Sequence, residues 1–254
     1  MSTAMDRQTA EQVFHDQQAQ LRLATLACRP DLLCFDDDTY LDHETWIRPA
    51  FRQLGDLAGR SVLDYACGHG MAAVVLARRG ARVTAFDLSS AYLREARARA
   101  RASGVAIDLV QADGERLPFA DGSFARIWGN AVLHHLDLAV TAPELFRVLR
   151  PGGVAVFCEP WGENPLLNWA RRRLPYPGKE RTPDEVPLRW RHVDLLRQVF
   201  PQVEVRGYQF IAMARRVLKP GRFLAGLTWA DDRLLRGLPL LQRFCRYVVL
   251  TLRR

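Results

Sequence analysis

Lysine is nearly absent from this chain of 254 residues. Only Lys179 and Lys219 stand among the 36 basic residues, so the formal net charge of +8 is carried by arginine. The arginines are scattered over many predicted helices rather than collected in one stripe, so we expect no nucleic-acid partner, while weak membrane-surface or lipid contact stays open. No apolar run approaches the roughly 18 residues that a membrane span needs.

Cysteine is also scarce, and its spacing is uninformative for metal or disulfide chemistry. The five cysteines are odd in number, and no two of them form a C-x-x-C pair. This pattern predicts neither a disulfide framework nor a zinc site, and we expect no metal. The first residues, MSTAMDRQTAEQVF, hold no apolar signal segment. We therefore expect a reduced, cytoplasmic protein.

From residue 61 onward, short apolar runs alternate with helical patterns. Seven runs read as strands, in the order SVLDYA, RVTAFDL, VAIDLVQAD, FARIWGNAVL, VAVFCEP, VEVRGYQF and YVVLTL. Strands that alternate with helices predict βαβ units and a parallel sheet with right-handed crossovers. Thr141 and Glu144 have the spacing of a capping box for the helix that precedes the fifth strand.

The chain outside these alternating units divides into two kinds of segment. Residues 1–55 have helical patterns and no clear strand, so we predict an N-terminal helical cap there and a core over residues 56–254. Regularity fails after the fifth strand, because residues 160–187 contain six prolines. We expect the segments 160–192 and 219–243 to form an acceptor pocket or a lid over the core.

Polar residues follow the first five predicted strands in turn. Ligands bind at the carboxyl ends of the strands in open α/β sheets, so this row is hard to explain by packing alone. In strand order the row consists of Asp64, Gly68 and Gly70; Asp87; Asp113; Asn130, His134 and His135; and Glu159.

The loop DYACGHG, residues 64–70, is suited to holding a nucleotide. Its glycines let the backbone approach a ligand closely, and an acid about 20 residues beyond Asp64 suits a ribose diol. Asp87 stands at that distance. However, the stretch GHGMAA also reads as G-x-G-x-x-A, which is a dinucleotide fingerprint. The loop alone therefore leaves the nucleotide undecided.

The motifs that follow the loop resolve this ambiguity. The stretch QADGERLPFADGSFARIWGNAVLHHL, followed by FRVLRPGG, resembles the class I S-adenosylmethionine-dependent methyltransferases, in particular their small-molecule branch. The resemblance implies an α/β fold: a seven-stranded, mostly parallel Rossmann-like sheet of order 3-2-1-4-5-7-6 with an antiparallel seventh strand. It also implies helices on both faces, a lid insert after strand five, and S-adenosyl-L-methionine as the cofactor.

The resemblance further implies a role for each residue of the row. Gly68 and Gly70 would lie beside the methionine part of the cofactor, and Asp64 would help to hold its ammonium group. The expected partners of the ribose are Asp87 and Leu88; those of the adenine are Ala112, Asp113 and Gly114; and the Asn130 carbonyl would face the methionine end. Ala66 stands where the family usually has its first glycine, so the loop geometry is expected to be altered there.

The implied reaction is an in-line displacement that moves a methyl group to a small organic acceptor, such as a natural product, a quinone or a lipid-like molecule. His134 or His135 would serve as a general base or hydrogen-bond donor, and Glu159 would bind the acceptor. Capping and packing explain the same side chains equally simply. Further acceptor-pocket candidates are Tyr40, Trp46, Trp161, Trp169, Tyr176 and His192, each of which also suits a core or covering layer.

Three other functions compete with this interpretation. A protein of the same fold would bind S-adenosylmethionine without transferring its methyl group. A nucleic-acid methyltransferase would carry an N/D-P-P-Y/F element at strand four, where this chain reads NAVL. A dinucleotide oxidoreductase would use the same glycine loop. The acceptor, its nucleophilic atom and the oligomeric state are not encoded in any pattern that we recognise.

Overall fold

The protein is described here by a computed structural model that covers residues 2–173, 186–216 and 222–254. At its centre is a seven-stranded sheet of order 3-2-1-4-5-7-6. The strands are β1 (Ser61–Tyr65), β2 (Arg82–Asp87), β3 (Asp108–Gln111), β4 (Phe124–Asn130), β5 (Leu149–Pro160), β6 (Gln202–Tyr208) and β7 (Tyr247–Arg253). The α-helices are α1 (Ser2–Cys28), α2 (Asp37–Leu41), α3 (Ile47–Gln53), α4 (Met71–Arg78), α5 (Ser90–Ala102), α6 (Leu138–Val148), α7 (Pro165–Arg173), α8 (Trp190–Val199) and α9 (Arg222–Gly237).

The strand directions place five carboxyl ends along one edge of the sheet. Strands β1 to β5 pair in parallel, whereas β7 runs antiparallel to both β5 and β6. The predicted strand order and the antiparallel seventh strand are therefore confirmed. The chain reverses its winding direction at β1, and the neighbouring carboxyl ends of β1 and β4 form the crevice where ligands bind in such sheets.

Two apolar clusters cover the two faces of the sheet. On one face, residues of α6 and α8 pack against Tyr65, Phe157 and Trp161. On the other face, residues of α2, α3 and α4 surround Trp128 and Val156. Burial of these large side chains, at about 1.5–3 kcal/mol each, supplies the main free energy that holds the helices on the sheet.

Two of the element boundaries predicted from the sequence are wrong: the bounds of β3 and the start of α6. Strand β3 spans only Asp108–Gln111, because the chain before it is still leaving the turn at Gly104, where φ is +65°. The predicted capping box is also wrong. Helix α6 begins one turn earlier, at Leu138, because the Asp137 side chain accepts the Ala139 amide hydrogen and supplies the N-cap. Thr141 is consequently buried inside the helix.

The helices of the N-terminal segment pack in two different places. Helices α2 and α3 are part of the packed core. Helix α1 instead lies along α5: Arg22 makes two hydrogen bonds to Glu95, at 2.9 and 3.1 Å, and the Tyr92 hydroxyl donates to the Gln18 side chain at 3.1 Å. Among the described residues, no helix combines the length and the apolar composition required to cross a membrane.

A tight contact between the glycine loop and α5 predicts a stability effect. Gly70 has φ +80°, and a Cβ there would lie 2.7 Å from the Ala96 Cβ atom. Because L-residues are strained in this region and the site is closed, Gly70→Ala should lower the free energy of unfolding by about 2–4 kcal/mol. Urea denaturation would measure the change.

Gly104→Ala is the matched control, since Gly104 has φ +65° and no atom lies within 4 Å of the position that a Cβ would take there. Backbone strain alone should cost it about 1 kcal/mol. Equal losses in the two variants would show that the contact with Ala96 is not what requires a glycine at position 70.

Candidate active site

A cavity of about 230 Å³, here called the first cavity, lies at the carboxyl edge of the sheet. Its floor comes from the ends of β1, β2 and β4 and from the loop after β3, and α1 forms part of its cover. The predicted cofactor residues on its wall are Ala66, Gly68, Asp87, Leu88, Ala112, Asp113, Gly114 and Asn130. Asp64 and Gly70 are not on this wall.

Asp87 joins the glycine loop to the start of α5. One carboxylate oxygen accepts the Gly68 amide hydrogen at 2.8 Å, and the other accepts the Ser89 amide hydrogen at 2.9 Å. Burial raises the pKa of Asp87 to about 6, against the hydrogen bonds from Ser89 and Gly68, which lower it. Asp87 is therefore mostly ionised at pH 7, and it can still accept hydrogen bonds from a ligand.

The glycine loop leaves open space on the cavity side. Gly68 has φ +50°, and an added Cβ would meet no atom within 4 Å. Ala66 adopts φ +52°, a left-handed conformation that costs a residue with a Cβ about 1 kcal/mol or more. The chain keeps the backbone shape of a glycine at this position although it carries a methyl group.

Asp64 is buried directly beneath the loop, with 2% of its surface exposed. Within the described residues, its Oδ2 atom has no hydrogen-bond partner. Burial raises the pKa of Asp64 to about 8, against a hydrogen bond from the Ala73 amide that lowers it. A buried carboxyl with an unsatisfied oxygen is a group that a nearby cationic ligand would stabilise in its ionised form.

The wall after β3 is shaped by Tyr65. The Tyr65 hydroxyl donates a hydrogen bond to the Gly114 carbonyl at 2.6 Å. A Cβ at Gly114 would lie 2.6 Å from that hydroxyl oxygen, so a glycine is required for this approach. Asp113 accepts the Glu115 amide hydrogen at 2.9 Å, which holds its carboxylate at the turn beside the cavity.

Glu159 holds the chain that follows β4. The residue is fully buried, and its Oε1 atom accepts the amide hydrogens of Val132 at 3.0 Å and Leu133 at 2.8 Å. Its Oε2 atom lies 2.7 Å from His134 Nδ1. Glu159 therefore does not face the first cavity. It fixes the position of the 3-10 turn Leu133–His135.

The two neighbouring histidines differ in which cavities they line: His135 lines both cavities, and His134 lines the second. His135 is on the wall of the first cavity. His134 lies, with His135 and Leu136, on the wall of a second cavity of about 490 Å³, which also includes Leu188 and His192. Five leucines and Val186 line the second cavity beside charged and polar side chains that include Asp137 and Arg191. An apolar part of a molecule placed against the leucines would lie next to the histidine pair.

Helix α1 supplies cavity residues that sequence reasoning missed. Glu11 and His15 line the first cavity, and Glu11 Oε1 lies 3.4 Å from His135 Nδ1. The imidazole rings of His15 and His135 are 6.0 Å apart. The i, i+4 spacing of Glu11 and His15 places both on one helix face, and this was the only available signal.

Several predicted acceptor residues lie away from both cavities. The Tyr40 hydroxyl accepts a hydrogen bond from Trp128 Nε1 at 3.0 Å, and the Trp46 ring stacks on Tyr247 with centroids 3.9 Å apart. Trp161 is fully buried in the apolar cluster. These three rings fill the core rather than an acceptor pocket, because each has a close partner on the sheet or in the covering layer.

The remaining acceptor candidates have mixed positions. Trp169 is exposed to solvent on α7, with 59% of its surface accessible. His192 lines the second cavity, and its Nδ1 atom accepts the Arg189 amide hydrogen at 2.9 Å. Tyr176 lies outside the described residues.

The buried Asp64 predicts a pH-dependent stability of the ligand-free protein. Its folded-state pKa of about 8 lies above the value of 3.8 for a free side chain, so the folded state binds a proton that the unfolded state has lost. The stabilisation is complete below pH 4 and disappears as the pH rises through 8. Asp64→Asn should therefore gain stability relative to the wild type by a few kcal/mol between pH 5 and pH 8.5.

Urea titrations at those two pH values would measure this difference. Asp108→Asn is the control, because Asp108 is exposed at the start of β3. A difference between Asp64→Asn and the wild type that stays constant with pH would contradict the buried, protonated state of Asp64.

The sheet order, the glycine loop and the polar strand ends define a class I methyltransferase fold. Residues 63–157 match the family model described as "Methyltransferase domain". The chain is 43% identical over 109 residues to the methyltransferase GfsG of Streptomyces halstedii, a match that covers 41% of this chain and 38% of GfsG. It is 37% identical over 146 residues to a demethylmenaquinone methyltransferase of Thermobifida fusca, covering 51% of this chain and 61% of that protein.

The similarity to solved structures extends further along the chain. The geranyl diphosphate C-methyltransferase of Streptomyces coelicolor A3(2) superposes with a TM-score of 0.57 at 19% identity, covering 82% of this chain and 77% of that one. At this identity the comparison shows the fold. The chain spans about two fifths of the length of GfsG.

Proposed function

We propose that the protein binds S-adenosylmethionine in the first cavity and transfers its methyl group to a small organic acceptor. The observation that supports this most directly is the convergence of Gly68, Asp87, Asp113 and Asn130, from four strand ends, on one cavity. The relatives named above are methyltransferases by their descriptions. When bound, the cofactor supplies a methyl group made electrophilic by a sulfonium.

The residues of the first cavity have complementary binding roles in this proposal. Asp87 accepts hydrogen bonds from the two ribose hydroxyls, and Asp113 accepts one from the adenine amino group. The unfilled space beside Gly68 lets the backbone approach the methionine part. Asp64 lies behind the glycine loop. In its ionised form, its negative charge would stabilise the positive ammonium group of the cofactor on the other side of the loop. Helix α1 excludes water from one side.

His135 is our candidate for the general base. It lines the first cavity, and a carboxylate beside Nδ1 would favour the tautomer that leaves Nε2 free to accept a proton. Glu11 supplies that carboxylate from α1 and is a positioning residue. With the cofactor bound, its sulfonium would supply the methyl group to an acceptor oxygen, nitrogen or carbon and leave as the thioether, and His135 would accept any proton that the nucleophile carries.

The acceptor is proposed to enter through the second cavity. This cavity adjoins the first at His135 and Leu136, and its leucine side chains suit an apolar ring or chain that also carries a polar group. The descriptions of the relatives include a quinone-type acceptor, which agrees with such a surface. His134 and His192 are the polar groups there that can orient a hydroxyl. A cytoplasmic location is part of the proposal.

Calorimetry followed by a transfer assay tests this function. We expect micromolar or tighter binding of S-adenosylhomocysteine and no binding of NADH. Methyl transfer from radiolabelled S-adenosylmethionine would then be measured with phenolic, quinol and amine acceptors. Binding of NADH alone would overturn the proposal. Binding of S-adenosylhomocysteine without transfer to any acceptor class would favour a cofactor-binding protein that does not methylate.

A further inference from the structure

Six large apolar side chains are exposed on three segments near the carboxyl edge of the sheet. We call them the apolar edge surface. They are Leu166 and Trp169 of α7, Phe223 and Trp229 of α9, and Leu238 and Leu240 at the 3-10 turn Pro239–Phe244. Leu240 is 85% exposed and Trp229 is 63% exposed. Side chains of this size are normally scattered singly on a protein surface, so a cluster indicates an interaction site.

The turn Pro239–Phe244 links the three segments, since Asn164 beside α7 bonds to it and α9 packs against it. Asn164 caps α7 by accepting the Leu166 amide hydrogen, and its amide group donates to the Phe244 carbonyl at 2.7 Å. Asp231 of α9 accepts the amide hydrogens of Phe210 at 2.9 Å and Ile211 at 2.7 Å. Asn164 and Asp231 are both buried, so the first anchors α7 to the turn and the second anchors α9 to the chain after β6.

This unit borders the edge on which the two cavities open. Helix α7 follows directly from the end of β5, and the turn leads directly into the start of β7. Those two strand ends pair with each other at Pro160 and Tyr247. One residue before Pro160 is Glu159, which positions the histidine turn. The apolar edge surface and the proposed acceptor cavity therefore belong to the same end of the molecule.

Arginines accompany the apolar side chains. The Arg233 guanidinium lies 4.8 Å from the centre of the Trp229 ring, and the Arg243 guanidinium lies 5.4 Å from that of Phe244. Helix α7 ends at the exposed Arg173, and its sequence contains no acidic residue. The acidic residues of α9 are Asp231, which is turned inward, and Asp232, which is paired with Arg206. The surface is therefore apolar with a basic rim.

We propose that the apolar edge surface docks the protein reversibly on a membrane that carries anionic headgroups. Tryptophan rings favour the headgroup boundary, leucine and phenylalanine side chains enter the acyl region, and arginines remain beside the phosphates. The basic rim favours an anionic membrane over a neutral apolar partner surface, since several arginines would otherwise be desolvated. Docking would bring the second cavity close to the bilayer, a consequence that rests on the proposed function.

Vesicle co-sedimentation with the full chain tests the docking itself. We expect binding to phosphatidylcholine vesicles that contain about 30 mol% phosphatidylglycerol, weaker binding to phosphatidylcholine alone, and loss of binding in about 0.5 M salt. The triple variant Trp169→Ala, Trp229→Ala, Leu240→Ser should partition at least about tenfold more weakly. The matched control is Leu21→Ser, since Leu21 is 74% exposed on α1, away from the surface.

Each result decides for or against the proposal. Absence of binding to the anionic vesicles would overturn it, and so would equal losses in the triple variant and in Leu21→Ser. Self-association that disappears in the triple variant, without vesicle binding, would assign the surface to a second copy of the chain instead. S-adenosylhomocysteine binding, measured by calorimetry on the same samples, verifies the fold of each variant and tests the proposed function separately.

Discussion

Asp87→Ala is expected to weaken the binding of S-adenosylhomocysteine at least about 100-fold. The carboxylate would lose its hydrogen bonds to two ribose hydroxyls, and hydrogen bonds to a charged group contribute about 1.5–3 kcal/mol each. The variant also leaves the amides of Gly68 and Ser89 without their acceptor, so the glycine loop is no longer tied to α5. Isothermal titration calorimetry at pH 7.5 would measure the loss.

Two variants make this result specific. Asp87→Asn retains one acceptor oxygen without the charge, and its affinity should lie between those of the wild type and Asp87→Ala. Asp108→Ala, at the exposed start of the neighbouring strand β3, should bind normally. Unchanged affinity in a folded Asp87→Ala protein would remove Asp87 from the ribose role. It would also weaken the assignment of the first cavity to a nucleoside.

The affinity of the wild type should also depend on pH. Because burial raises the pKa of Asp87 to about 6, a growing fraction of the carboxyl is protonated in the free protein as the pH falls below that value. The protonated form accepts hydrogen bonds less strongly, so the affinity for S-adenosylhomocysteine should decrease between pH 7 and pH 5. An affinity that rises over this range would contradict an ionised Asp87 in the complex.

The sheet edge is the part of the molecule that sequence predicts best. Strand-sized apolar runs end in polar residues, and parallel pairing brings those ends together whatever the details of packing. Asp87, Asp113 and Asn130 reach one cavity wall for this reason. Gly70 is different, because a glycine that is needed against Ala96 and a glycine that is needed against a ligand look the same in a sequence.

The residues that sequence predicts poorly are those whose position depends on long-range docking. Nothing local indicates that Glu11 of α1 meets His135, which is more than 100 residues away in the chain. Tyr40 and Trp46 illustrate the reverse error. Aromatic residues in a predicted cap are reasonable candidates for a ligand pocket. In the structure, however, the Tyr40 hydroxyl accepts a hydrogen bond from Trp128, and the Trp46 ring stacks on Tyr247. Amphipathic patterns define which face is apolar and leave open which surface covers it.

Glu159→Ala is expected to cause the largest loss of stability among the site variants, about 3–5 kcal/mol. The substitution leaves the buried amides of Val132 and Leu133 and the ring of His134 without their common acceptor. Each buried group that loses its partner costs about 1–3 kcal/mol, and the carboxylate is inaccessible to replacement by solvent. Chemical denaturation of the ligand-free protein would measure the change.

His134→Ala separates the contributions of the backbone and the histidine. That variant keeps both amide hydrogen bonds of Glu159, so it should lose less stability than Glu159→Ala and should still bind S-adenosylhomocysteine. Glu159→Ala should weaken binding as well, because the turn that it holds carries Val132 and His135 into the first cavity. Equal stability losses would show that the His134 contact, rather than the amide contacts, is what Glu159 contributes.

A comparison of His134→Ala with His135→Ala decides which histidine is closer to the chemistry. If Glu159 mainly supports the turn, the His134–Glu159 pair is an anchor, and His135 at the wall of the first cavity is the candidate general base. Under that arrangement, His134→Ala would retain most of its methyl transfer, whereas His135→Ala would lose about 100-fold or more through the missing general base. The reverse order of losses would assign proton transfer to His134 and the second cavity.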